Sequence, residues 1–286
     1  MSTFRIPLVD THLHLWDLAE LRYPWLDEEE SINQNFLLAD YQQATKNLDV
    51  SQMVFMQCDC LPEQNVAEAR WVAKLMEQDT RLAGMVAFAP LEKGTSARED
   101  IDELLAANPK IKGIRRLLQG QPDLDFCLQP DFIAGVALLA DYGLPFDLCL
   151  NYRHLPYVVE FATQIPQVKM VVDHIAKPDI KGGEFDLWAK GMAELAELEH
   201  VHCKLSSLAT EADQENWQAE DLRPYLNHVI QHFGVERCFF ASDWPVVTLA
   251  ASLETSVLTL YQLLEGHTDE QLRAIFSENG KAFYQI

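Results

Sequence analysis

The sequence predicts an α/β protein, a single (β/α)8 TIM barrel running through residues 1–286. Two observations carry that expectation. Eight short, β-rich apolar runs alternate with amphipathic helical stretches, and no linker or repeat boundary divides them. A doubly wound open sheet is the alternative, but no G-x-G-x-x-G turn follows the first run to support it.

The runs are RIPLVD (5–10), VSQMVFMQC (50–58), LAGMVAFAP (82–90), IKGIRRLL (111–118), LPFDLCL (144–150), VKMVVDH (168–174), VHCKLSSL (201–208) and RCFFASD (237–243). Each reads as a strand buried on both faces, because a parallel sheet covered by helices replaces strict alternation with near-continuous apolar text. Between them lie helical stretches such as EQNVAEARWVAKLMEQ (63–78) and PDFIAGVALLADYG (130–143). The second has Pro130 at its start and Gly143 at its close, the usual punctuation of a helix. The longest insertion, residues 15–36, carries Trp16, Tyr23 and Trp25. It follows strand one, so a barrel would place it at the mouth, with Tyr23 and Trp25 as candidate substrate contacts.

Composition narrows the function. A 48% hydrophobic content supplies a core and argues against disorder. The formal net charge of -22 argues against nucleic acid and anionic membrane as partners, since both attract basic surfaces. Cys58, Cys60, Cys127, Cys149, Cys203 and Cys238 show neither a C-x-x-C pair nor disulfide-framework spacing. No apolar run approaches a membrane span, and the first residues lack a signal pattern. A reducing, cytoplasmic setting is expected.

Chemistry in such a barrel gathers at the C-terminal ends of its strands. Strand one leads into VDTHLHLWD, where alternation would project His12, His14 and Asp10 to one face. That pairing suits metal ligation or two hydrogen bonds to one substrate. Strand four carries Arg115 and Arg116, strand five ends at Asn151 and Tyr152, and strand six ends at Asp173 and His174. Lys204, Ser206 and Ser207 follow on strand seven, and Ser242 and Asp243 on strand eight. Any one of these could be a structural salt bridge. His12, His14, His174 and Asp243 together, at three strand ends, point to a site.

The segments VDTHLHLW, KGIRR, VVDHIAKP, ASDWP and FSENGKAFY, spread over essentially the whole chain, resemble the amidohydrolase superfamily. Within it the sequence is most similar to the group containing sugar-acid lactonases and the pyrone-dicarboxylate lactonase. The resemblance implies a hydrolase that opens a lactone, a small cyclic ester, with Asp243 as general base. It implies that His12, His14, His174 and Asp243 hold at most one divalent, zinc-like ion, a metal-free mechanism being equally open. Without metal, the histidines would donate hydrogen bonds to the carbonyl. The superfamily pattern places a lysine on strand four and a histidine on strand five. Arg115, Arg116 and Asn151 stand there instead, which speaks against two ions. Arg115 is expected to face the site and supply positive charge to an oxyanion or a substrate carboxylate, with Asn151 and Tyr152 binding ring hydroxyls. A metal-dependent decarboxylase of the same superfamily and a non-catalytic ligand-binding barrel are the competing readings.

Overall fold

The structure, a computed structural model, describes residues 4–286. All eight expected strands form: β1 (Leu8–Leu13), β2 (Val50–Met56), β3 (Leu82–Ala87), β4 (Ile111–Arg115), β5 (Phe146–Leu148), β6 (Met170–Val172), β7 (Val201–Leu205) and β8 (Cys238–Phe240). They pair in parallel in the order β1 to β8, with helices between them, as a (β/α)8 barrel requires. The wall is completed between β8 and β1 by side chains and loop backbone. Thr11 Oγ1 donates to the Phe240 carbonyl at 2.6 Å, Asp243 N to His12 O at 2.8 Å and His14 N to Trp244 O at 2.7 Å.

Strand β1 starts three residues later than the sequence suggested, beyond Pro7, whose missing N–H cannot join a ladder. Strands β5, β6 and β8 are shorter than their apolar runs because the chain turns into the barrel mouth before the apolar text ends. The stretch 130–143 divides into helices Pro130–Ala137 and Leu139–Tyr142, closed by Gly143 at a left-handed φ of 64°.

Apolar side chains form two layers. The larger lies between the sheet and the helices. The smaller is the barrel interior, where Val54, Met56, Val86, Val171 and Phe239 meet Phe283 and Tyr284 from the helix Asn279–Tyr284. Insertion of that helix end matters because it delivers one polar group, the Tyr284 hydroxyl, into the barrel.

Candidate active site

A register shift between Asp10 and Leu13 breaks the alternation of β1, as a bulge does when it re-aims a side chain. His12 and His14 therefore converge without Asp10. The Asp10 carboxylate instead accepts the Tyr41 hydroxyl at 2.8 Å and the Ser242 N–H at 2.9 Å, and so braces β1 against its neighbours.

After β6 the backbone takes positive φ at His174, Ile175, Ala176 and Lys177. Such a run is costly for residues with a Cβ, most of all for a β-branched Ile. It turns His174 into the mouth, where Nδ1 lies 2.8 Å from Ser206 Oγ. Asp243, at a φ of 57°, is pinned on its other side, its Oδ2 accepting the Ser207 hydroxyl.

His12, His14 and Asp243 meet as a result, with His174 beside the Asp243 carboxylate. His12 Nε2 is 3.1 Å from His14 Nε2. Asp243 Oδ1 is 3.3 Å from His14 Nε2, 3.5 Å from His12 Nε2 and 3.7 Å from His174 Nε2. Tetrahedral zinc with bonds of about 2.0–2.1 Å separates its ligands by about 3.3–3.4 Å, so the spacings among His12, His14 and Asp243 fit one such ion, while His174 groups with His12 and Asp173 at its side. The tautomer of His14 fits too. Its Nδ1 lies 3.0 Å from the Met56 carbonyl, which takes the N–H and leaves the Nε2 lone pair toward the centre.

Electrostatics agree with that donor set. Burial pushes the His174 imidazole down to about 4 and lowers His12 and His14 as well, so all three favour the neutral, ligating form. Burial alone would raise Asp243, but His174 and the other two imidazoles hold it well below the carboxylate range.

Arg115 and Arg116 separate as adjacent strand residues must. Arg115 is buried, donating to Asp173 Oδ2 at 3.2 Å and to the Gln57 carbonyl at 2.6 Å, with Nη1 3.3 Å from His12 Nε2. Arg116 points away, pairs with Glu92 and lies over Phe88 and Phe126. Behind the histidines sits a group that sequence reasoning only half found. Fully buried Lys204 Nζ contacts Asp173 Oδ1 at 2.9 Å, Asp147 Oδ2 at 2.5 Å and His12 Nδ1 at 3.3 Å. Asp147 was overlooked, although a carboxylate inside the apolar run LPFDLCL is itself a signal, since an unpaired buried charge is too costly to stand.

The centre opens into a cleft of about 630 Å³ whose wall includes His14, Arg115, His174, Asp243, Trp25 and Lys177. Trp25 anchors there by donating its indole N–H to the Cys58 carbonyl at 2.8 Å. The other three expected substrate contacts are not part of that wall. Tyr23 is packed against Trp16 with no exposure. Asn151 caps the turn that follows, accepting from Arg153 N, and Tyr152 OH is held by the Arg153 guanidinium. The physical reason is that β5 ends at Leu148, so Cys149 takes the wall position and the chain has already turned by Asn151. Lys177 was missed. It lies three residues past His174, and its charge faces the cleft near Glu211, whose carboxyl burial pushes up and Lys177 pulls down.

The description "Amidohydrolase" belongs to the family whose pattern matches residues 9–286. The chain belongs to the amidohydrolase family. An L-fucono-1,5-lactonase of Burkholderia ambifaria is 34% identical over 249 residues, 87% of this chain and 82% of that one. An L-rhamnono-gamma-lactonase of Scheffersomyces stipitis is 23% identical over the full length of both. Among solved structures, a Burkholderia multivorans amidohydrolase with bound zinc superimposes with a TM-score of 0.87 at 27% identity, covering 98% of this chain and 99% of that one. The helices of this chain include none long and apolar enough to cross a membrane, among the described residues.

Proposed function

We propose that this amidohydrolase is a lactonase that opens a sugar-acid lactone by water attack, with Asp243 as general base. Two things support the reading: the likeness to sugar-acid lactonases, and an ionised carboxylate held among three neutral imidazoles at the floor of an open cleft. The observation that carries it is Asp243. One oxygen is fixed by Ser207, and the other faces the point where the histidines converge.

His12, His14 and Asp243 would hold one divalent ion, with His174 beside them, and when bound it would polarise the lactone carbonyl and make a neighbouring water more acidic. The protein's own groups do the rest. Asp243 takes a proton from water as the water oxygen bonds to the carbonyl carbon. It returns that proton to the ring oxygen as the carbon–oxygen bond of the ring breaks, leaving an open hydroxy acid. Ser207 keeps the carboxylate from rotating away during both transfers. Arg115 lines the cleft beside His12 and keeps positive charge near the developing oxyanion. Lys177 and Trp25 line the same cleft, where the ammonium would bind ring oxygens and the indole would pack on the carbon face of the sugar ring.

A second ion would have to share Asp173 and His12 with Lys204 and Arg115, whose cationic groups already contact both. The proposal is therefore for a single-ion centre. The competing decarboxylase reading calls for a histidine on strand five, and neither β5 nor Asn151 after it supplies one.

The test is proton release from a panel of aldonolactones and a pyrone dicarboxylate, measured before and after chelation. Turnover of an aldonolactone, lost on chelation and restored by zinc, supports the proposal. Absence of turnover of every lactone sinks it, and full activity after chelation removes the ion.

A further inference from the structure

We propose that Tyr284 is a positioning residue for the reaction centre, acting on His12 through Asp147, Lys204 and Asp173. The inference goes beyond the lactonase reading and rests on it only in taking His12 as part of the centre.

Every link is a short contact between buried groups. The Tyr284 hydroxyl donates to Asp147 Oδ2 at 2.5 Å. Lys204 Nζ donates to that same oxygen at 2.5 Å and lies 5.4 Å from the centre of the Tyr284 ring. Lys204 then reaches Asp173 Oδ1 at 2.9 Å, and that oxygen lies 3.4 Å from His12 Nδ1. Tyr284, Asp147, Asp173, Lys204 and His12 are at most 1% exposed. Water therefore cannot replace a missing partner.

The usual filling of this space is branched and apolar. An ionic chain here is expensive to bury, and replacing such groups with apolar ones of the same shape is often neutral or stabilising. Fold stability alone thus gives no reason for it. What the chain does supply is direction. A lysine between two carboxylates can sit in one place only if both carboxylates are fixed, and the Tyr284 hydroxyl fixes Asp147. Lys204 and Arg115 then hold Asp173 from two sides, and Asp173 and Lys204 together set the plane of the His12 ring. Groups behind a ligating histidine typically change metal affinity or activity by about 10–100-fold when lost.

The test compares Tyr284→Phe with Phe283→Leu in the full chain. The first removes one hydroxyl and keeps the ring against Phe239. The second removes aromatic packing at the adjacent residue and leaves the hydroxyl. Zinc affinity is read by competition with a chromophoric chelator, the His12 ring nitrogens by NMR of the zinc-free protein, and kcat and KM on the best lactone. For Tyr284→Phe we expect about tenfold weaker zinc binding, a shifted His12 nitrogen resonance, and a fall in kcat with KM unchanged. For Phe283→Leu we expect a lower Tm with zinc affinity and the His12 resonance intact. The proposal is overturned if Tyr284→Phe leaves the His12 resonance unmoved, or if both variants lose zinc affinity in proportion to their loss of Tm. Should wild-type protein take up no zinc, the single-ion reading fails, and the His12 resonance alone decides the role of Tyr284.

Discussion

The Nε2 atoms of His12 and His14 lie 3.1 Å apart, two residues from each other in sequence and on either side of the end of β1. Two neutral imidazoles can be that close only with a proton or a cation between them. The Met56 carbonyl takes the Nδ1 proton of His14, so the shared particle is either the Nε2 proton of His12 or an ion. Metal analysis of the purified protein is expected to find one equivalent of zinc per chain, and His14→Ala is expected to abolish it. Two tightly held equivalents would refute the single-ion centre.

Replacing Asp243 with Asn keeps the shape and removes the base. The rate should fall by about 10²–10⁴, with circular dichroism and Tm near wild type because Ser207 can still donate to the amide oxygen. Near-normal hydrolysis by a folded variant would exclude Asp243 as base.

The two arginines give opposite expectations. Arg116→Met loses a half-buried pair with Glu92 and should leave kcat/KM within about threefold, in keeping with the small worth of partly exposed ion pairs. Arg115→Met strips a cation from Asp173 inside the barrel, so both turnover and Tm should drop sharply, a broken buried pair costing about 3–5 kcal/mol. The reverse ranking would place the wrong arginine in the barrel.

The eight strands were legible in the sequence because each is buried on both faces and so leaves an uninterrupted apolar run. His12, His14, His174 and Asp243 were legible for the opposite reason, as polar residues where such runs stop. Asn151 and Tyr152 fall outside the cleft wall because the apolar text of strand five outlasts its ladder, and Cys149 takes the wall position. Lys177 escaped notice because its direction comes from a run of positive φ angles that no residue type in HIAK announces. The role of Tyr284 depends on which helix end enters the barrel, a matter of tertiary packing alone.

Glu68 offers a test of stability against pH. It is buried beside the Cys58 N–H, and burial pushes its carboxyl from 4.5 up to about 7. A folded-state pKa above the unfolded one means that stability is full below pH 4.5 and is lost as pH rises through 7. Urea unfolding at pH 5 and pH 8 should show wild type losing about 2–3 kcal/mol more than Glu68→Gln across that interval. Equal losses would show that Glu68 is charged in the folded protein throughout.

Strands β8 and β1 meet through a few separate hydrogen bonds where every other neighbouring pair has a ladder. His12 and His14 stand on one side of that seam and Asp243 on the other. A cation gripped by all three is a clasp across the barrel's weakest line, and parting the seam would require releasing it. Amides on both sides, at His14 and Asp243, should therefore exchange with deuterium far more slowly in zinc-loaded protein than after chelation. Chemistry and mechanical closure of the wall would then draw on the same bonds, and a mutation that loosens one loosens the other.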